Sequence, residues 1–253
     1  MTSINVEFKS MAAAVRSSGG RKISIANGKM PGTSFATDPF QCGVGSKMRD
    51  VAGSICSSCY AIKLAKIRPS VALGYERNEA EMRKVSLWTS AQRAEWVRAM
   101  GHQIITHSAK LGTSEHRWFD AGDLASADML ELLCEVARAT PNIKHWIPTR
   151  ELKHVRNWLK GSLEHSTNSV RQGVTLNDAL PPNVVVRISS TQVDDAPRSG
   201  TSRTADVICN TSTVHKHSEP VGFVCGAYTR EGQCGDCRAC WDRTIANVSY
   251  PLH

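Results

Sequence analysis

No stretch of the 253-residue sequence approaches the continuous apolar run a membrane-crossing helix needs, roughly 18 residues or more. The opening residues, MTSINVEFKSM, lack the apolar centre of a secretion signal. A cytoplasmic protein with no membrane association is therefore expected. There is no internal repeat, no low-complexity segment, and no long block of like charges that would mark a basic or acidic arm. Phosphate-cradling glycine fingerprints are missing too, since SSGG at Ser17 to Gly20 fits neither the dinucleotide nor the P-loop pattern. No HExxH and no Ser–His–Asp arrangement stands out. These absences argue against a transporter, a P-loop enzyme, a zincin-type protease and a triad hydrolase. An apolar fraction of 41% excludes a disordered chain.

What the sequence has in surplus is cysteine. Nine are present, in a chain expected to live where disulfides do not persist. The count is odd, and seven of the nine fall into two short stretches. Metal is the first chemistry such crowding suggests. Cys225, Cys234, Cys237 and Cys240 read C-x8-C-x2-C-x2-C, and Gly226, Gly232 and Gly235 permit tight turns between them. Structural zinc usually takes two separated CxxC pairs. A C-x2-C-x2-C run lies closer to iron–sulfur ligation, with zinc as the alternative metal. Cys42, Cys56 and Cys59 form the second group and offer only three thiolates. Two readings stay open for them: a separate cluster with one iron free for a substrate or cofactor, or a single structural centre shared with the tail. Cys134 lies on the apolar face of a helix and reads as a buried thiol. Cys209 is a further ligand or, preferably, a structural thiol.

Lys and Arg number 31 against 23 Asp and Glu, a surplus of eight. That surplus suits an anionic partner such as DNA, RNA or a nucleotide, and equally a plain solvated surface.

Along the chain, residues 1–60 form a segment short on periodicity that contains the first cysteines. It holds one strand-like piece, Lys22 to Ala26. Helical pattern starts at Ser57, and Pro69 opens a second helix where its missing N–H costs nothing. Thr89 and Gln92 predict a capping box, followed by an apolar stripe at Trp96, Met100, Ile104 and Leu111 and closed by Gly112. Strands are expected at His116 to Asp120, Asn142 to Pro148, Asn183 to Ser189, Ala205 to Cys209 and Val221 to Cys225. Helices carried by Met129, Leu133 and Val136, and by Leu152, Val155 and Leu159, separate the first three. Ser162 to Asn177 reads as a loop, and residues 226–253 as a cysteine-rich tail without regular structure. Alternating strands and helices predict one α/β domain over 1–253, with a parallel sheet that is either open or an incomplete (βα) barrel.

In parallel α/β folds the carboxyl ends of the strands face the site. Asp120, Gly122 and Asp123 follow one expected strand, and Thr149, Arg150 and Glu151 the next. Ser189, Ser190, Thr191 and Gln192 follow a third, and Cys209 to Ser212 a fourth. Helix caps would explain one residue per loop, but not this density. Asp120 and Asp123 are expected to accept a substrate amine or hydroxyl or to orient a cation. Arg150 is expected to clamp a carboxylate or phosphate. Gly122, Ser189 and Ser190 are expected to contact a cofactor. Glu151 reads equally as a charge at a helix start. His215 and His217 are candidates for acid–base work or ligation.

These stretches resemble a bacteriophage family, the gene-product-88-like proteins. The resemblance rests on KMPGTS before Cys42, ICSSCYA at Cys56 to Ala61, WFDAGDLAS, HWIPTRE, and CGDCRACWD with the ending NVSYPLH. It implies an iron–sulfur protein on a barrel similar to that of radical S-adenosylmethionine enzymes, and the cysteine count permits one or two clusters, expected to be of the 4Fe–4S type. It also implies residence in the cytoplasm of an infected host. Those enzymes carry a compact C-x3-C-x2-C loop. Here Cys42 stands 14 positions before Cys56, while Cys56 and Cys59 keep the final gap. S-adenosylmethionine is thus an open candidate as cofactor. The function expected is a radical or redox-type enzyme acting on nucleic acid or a nucleotide. The rival is a non-catalytic, metal-stapled nucleic-acid-binding protein. Neither substrate nor oligomeric state follows from the sequence.

Overall fold

A computed structural model describes residues 6–25, 28–164, 175–198 and 209–252. In chain order the elements are α1 (Met11–Ser17), β1 (Thr33–Phe35), α2 (Gly43–Met48), α3 (Tyr60–Ile67), α4 (Pro69–Met82) and α5 (Ser90–Leu111). Then come β2 (Glu115–Trp118), α6 (Ala127–Ala139), β3 (Lys144–Thr149), α7 (Leu152–Glu164) and α8 (Leu176–Ala179). The chain ends with β4 (Val184–Val193), β5 (Asn210–His215), β6 (Phe223–Val224) and β7 (Asn247–Pro251). All seven strands join one parallel sheet in the order β1-β2-β3-β4-β5-β7-β6, which is not closed.

Strand alternation divides the molecule into two faces. On one face Trp118, Ile147, Val184, Val186 and Ile188 meet the buried stripes of α5, α6 and α7, including Met100, Ile104, Leu130, Leu133, Val155 and Leu159. The local signals for these helices operate as the sequence predicts. Thr89 and Gln92 form a reciprocal capping box at the start of α5, and Gly112 ends it in the left-handed conformation at φ 64°. Pro69 opens α4. Cys134 is fully buried in this core. No helix among the described residues is long and apolar enough to cross a membrane.

Several expectations are corrected. The first fifty residues contain two short helices, α1 and α2, that no apolar periodicity announces. The strand expected at Lys22 to Ala26 reduces, in its described part, to a single bridge between Ser24 and Ser34. Of the strand expected at Ala205 to Cys209, residues 205–208 lie outside the described residues, and β5 begins only at Asn210. Most of the expected loop between Ser162 and Asn177 also lies outside them, while α7 runs to Glu164 and α8 begins at Leu176. The tail is not irregular throughout, because its β7 enters the sheet between β5 and β6. β7 is polar in sequence because its buried Asn247 and Ser249 bond across to the β5 Thr213 hydroxyl at 3.0 and 3.2 Å.

Arg187 sits in the centre of β4, fully buried, on the face opposite the helical core. Its guanidinium donates to the carbonyls of Ala239, Cys240, Asp242, Ile245 and Thr211 at 2.8–3.2 Å. An unneutralised cation is costly to bury unless every N–H finds an acceptor. Here the acceptors belong largely to the cysteine tail, which is folded across the sheet. Trp241 completes the attachment, meeting Trp146 edge-on at 5.2 Å and donating from its indole to the His116 carbonyl at 2.9 Å.

Candidate functional site

A cavity of about 520 Å³ opens at the carboxyl ends of the strands. Its wall takes Cys42 from the segment after β1, Asp120, Gly122 and Asp123 from the loop after β2, and Thr149 and Arg150 from the end of β3. Ser189 and Ser190 contribute from β4, Ser212 and Thr213 from β5, and Tyr250 from β7. Cys56 and Cys59 close it from the segment before α3. Asp120, Gly122, Asp123, Arg150, Ser189, Ser190 and the three cysteines of the first group thus line a single cavity.

The three cysteines converge there. A Cβ placed on Gly45 would lie 3.7 Å from the sulfurs of both Cys42 and Cys56, so the bare glycine keeps a hollow between them. Burial pushes the Cys42 thiol far above its ordinary range, and neighbouring Asp123, Cys59 and Cys56 add to the shift. Burial raises Cys56 as well, opposed chiefly by the Arg150 guanidinium. Glu151 holds this corner in place. Its buried carboxylate accepts the Val44 N–H at 2.5 Å, at the start of α2 and two residues beyond Cys42. It is a helix-start charge, as expected, but for α2 rather than for the helix that follows it in sequence.

The two aspartates differ. Both Asp123 oxygens are engaged within the loops, with Leu124 N at 2.7 Å, the Thr149 hydroxyl at 2.6 Å and Arg150 N at 3.0 Å. Burial raises its carboxyl to about 6. It joins the β2 and β3 loops, so its geometry fits positioning rather than substrate contact. Asp120 accepts the Ser34 hydroxyl on Oδ2 at 2.9 Å and leaves Oδ1 buried without a partner. Phe119, just before it, adopts φ 55°, a conformation that costs a non-glycine residue energy and that clusters at functional sites. Ser190 Oγ and the Nε atoms of Arg49 and Arg117 are also buried without partners, and all three residues line the cavity. One unsatisfied acceptor and several unsatisfied donors around one hollow leave bonds for a polar ligand to make. Arg150 donates through Nε to the Ser190 carbonyl at 3.0 Å. Arg117 lies 4.6 Å over the Trp146 ring.

The tail cysteines gather apart from this cavity, and none of them lines it. Burial raises Cys234, and the neighbouring Cys225 and Cys237 raise it further. Burial pushes Cys240 up to about 11, with Cys225 again beside it. Their backbone is tied down locally: Cys225 N donates to Ser249 O at 2.8 Å and Cys234 N to Lys29 O at 2.8 Å. Arg230 reaches the Cys234 carbonyl at 3.1 Å, and Arg238 the Cys237 carbonyl at 3.0 Å. Cys240 Sγ stands 3.1 Å from the Tyr250 hydroxyl. Among the described residues, no three His, Cys, Asp or Glu side chains stand close enough to share one metal ion.

Other candidates fall away from the site. Cys209 is buried in the helical core at the opposite end of β5. Asn210 opens β5 there and binds the Arg243 and Ile245 carbonyls, both at 2.9 Å. His215 is held by the Ser249 hydroxyl at 2.7 Å and does not line the cavity. His217 contributes a backbone N–H to Asp194. Sequence reasoning missed Arg187, Arg117, Arg49, Tyr60 and Tyr250. Only Arg187 had a visible signal, a lone charge within the β-branched run VVVRI.

A family model described as gene product 88 matches residues 18–243. Neither the curated proteins nor the solved structures contain a match.

Proposed function

The chain belongs to the gene product 88 family, and we propose that it is an iron–sulfur enzyme of radical or redox type whose reactive centre is held by Cys42, Cys56 and Cys59. The observation that carries this reading is the shared cavity: three thiols and the polar residues of five strand ends line one hollow. The donor set fits a cluster better than a single ion. In a cluster each thiolate would take its own iron, so three thiols around one hollow suit it better than they suit a closed four-ligand ion site. The nearly sequential parallel sheet supports a radical-S-adenosylmethionine-like barrel left open. The tail cysteines would hold a second, structural or electron-relaying cluster.

Such a cluster, when bound, supplies one-electron chemistry. The chain's own residues do the rest. Asp120 Oδ1 accepts an N–H or O–H from the substrate or cofactor, and Ser190 Oγ and Arg117 offer donors to its polar atoms. Asp123 keeps the β2 and β3 loops in register. Cys42, Cys56 and Cys59 would hold the cluster.

Anaerobic purification with iron and sulfide quantification tests the reading. Brown protein is expected, losing one class of iron in Cys56→Ser and the other in Cys237→Ser, while Cys134→Ser keeps both. The spectrum of the reduced protein should change on adding S-adenosylmethionine or substrate. Stoichiometric zinc without iron would overturn the proposal in favour of a metal-stapled, non-catalytic protein.

A further inference from the structure

Half of the chain's charge surplus is concentrated beside the cavity. Between residues 43 and 68, Lys47, Arg49, Lys63, Lys66 and Arg68 face a single acid, Asp50. Lys47, Lys63, Lys66 and Arg68 are exposed. Among the described residues none of these four is in an ion pair.

The geometry of α3 arranges this charge. Ala61, Ile62 and Ala65 are its buried face. That leaves Tyr60, Lys63, Lys66 and Ile67 on one exposed stripe at helical spacing. The stripe starts at the mouth of the cavity, because Tyr60 lines it and directly follows Cys59. The Tyr60 hydroxyl donates to the Asp120 carbonyl, yet 59% of the residue is open to solvent. A ring pinned at its tip with an open face is a rigid stacking platform. Phe40, 39% exposed, directly follows Pro39 of the cavity wall, with the Arg49 guanidinium 5.6 Å from its ring centroid.

Cations interleaved with exposed aromatic rings are the pattern that binds single-stranded nucleic acid, with phosphates on the cations and bases on the rings. We infer that the α2–α3 rim binds a single-stranded polynucleotide, which passes along Lys66 and Lys63, stacks a base on Tyr60 and delivers the next nucleotide into the cavity. The inference rests on the proposed function for what happens inside the cavity, and on the surface alone for binding. Three guanidiniums, Arg49, Arg117 and Arg150, line the cavity and suit the phosphate of the delivered unit.

The test is fluorescence anisotropy on the full chain, using labelled oligothymidylate, oligouridylate and duplex DNA of about 16 nucleotides. Both single strands should bind, and the tighter one names the sugar; duplex should bind more weakly because its base faces are covered. Raising salt from about 50 to 200 mM should weaken binding, with a log–log slope of about −0.7 per phosphate contacted. Lys63→Glu with Lys66→Glu should reduce affinity at least tenfold and flatten that slope by about 1.4. Tyr60→Ala should cost at least about fivefold, and Tyr60→Trp should restore binding. Lys110→Glu with Lys160→Glu, the same charge change on α5 and α7, should have under a tenth of that effect.

Absence of binding at low salt, or equal loss in the control pair, overturns the inference. So does equal affinity for duplex, or a Tyr60→Ala effect within twofold, either of which would indicate a generic polyanion surface. Iron and sulfide measured on the same samples separate the two proposals. Brown protein that ignores oligonucleotides sinks this one alone, and iron-free protein that binds them sinks only the cluster.

Discussion

Replacing Arg187 by Met isolates the device that holds the cysteine tail on the sheet. The wild-type guanidinium makes five hydrogen bonds to carbonyls, four of them between Ala239 and Ile245. Bonds from a charged donor contribute about 1.5–3 kcal/mol each when taken singly. They do not add here, for two reasons. Three of the carbonyls keep another donor: Asp242 N on Ala239 at 3.2 Å, Ile245 N on Asp242 at 3.4 Å, and Asn210 Nδ2 on Ile245 at 2.9 Å. The cation's burial also costs several kcal/mol, which the substitution recovers. A net loss of about 3–5 kcal/mol follows, comparable to breaking a buried ion pair and a large share of a domain's ~5–15 kcal/mol. Urea unfolding followed by tryptophan fluorescence measures it, with the Trp146–Trp241 pair reporting on the tail. Limited trypsin digestion should cut first after Arg230, Arg238 or Arg243. Arg187→Lys keeps the charge but not the planar fork, and should recover only part of the loss. An Arg187→Met protein within about 1 kcal/mol of wild type, with a trypsin-resistant tail, would refute the clamp.

Gly122→Ala should be more damaging than Gly53→Ala, although both residues have positive φ, 81° and 76°. At Gly122 a Cβ would fall 2.1 Å from Thr37 Oγ1 and 2.7 Å from its carbonyl carbon, whereas at Gly53 nothing lies within 4 Å. Thermal melts should show about 2–4 kcal/mol lost at Gly122 and about 1–2 at Gly53; equal losses would mean the Thr37 loop yields freely. For pH, burial holds His116 well below its ordinary range and lowers His145 to about 3. Their contribution is complete above the unfolded value near 6.5 and is lost as pH falls toward 3. Asp123, raised to about 6, works the other way: between about 6 and 4 the folded form takes up the proton first and gains stability. Two histidines outweigh one carboxyl, so urea midpoints should fall steadily from pH 6.5 to 4, and His145→Asn should flatten the trend. A rise in stability over that window would show that Asp123 dominates.

Much of the architecture could be read before any coordinates. The capping box at Thr89, the stripes of α6 and α7 and the β-branched β4 are local signals that tertiary packing reinforces. Because parallel strands deliver their carboxyl ends to one side, the residues after β2 and β3 and at the end of β4 predicted a common site, and one cavity holds them. What stayed hidden depended on partners distant in sequence. β7 has no apolar alternation, because Asn247 and Ser249 both bond the Thr213 hydroxyl of β5 inside the sheet. The assignment of Glu151 to α2 spans 107 positions and has no local trace. Asp123 and Asp120 look alike in the DAGD loop, and only the partners of their oxygens tell them apart.

The arrangement of β7 explains why the tail belongs to the site even though its cysteines do not line the cavity. Cys225 pairs its backbone N–H with Ser249, and Cys240 meets the Tyr250 hydroxyl. Both contacts fall on the strand whose next residues, Tyr250 to Leu252, line the cavity. Tyr250 therefore touches a tail sulfur with its hydroxyl while its side chain lines the space occupied by Cys42, Cys56 and Cys59. Burial and the adjacent Cys240 hold that hydroxyl neutral, well above its ordinary range. On the sheet face beneath, Arg187 and Trp241 fix the tail by hydrogen bonds that leave it little freedom to shift alone. The tail cysteines and the cavity wall thus share one strand. After Trp241 the chain returns as β7, inserted between β5 and β6, and Tyr250 on that strand both meets Cys240 and lines the cavity that Cys42, Cys56 and Cys59 share.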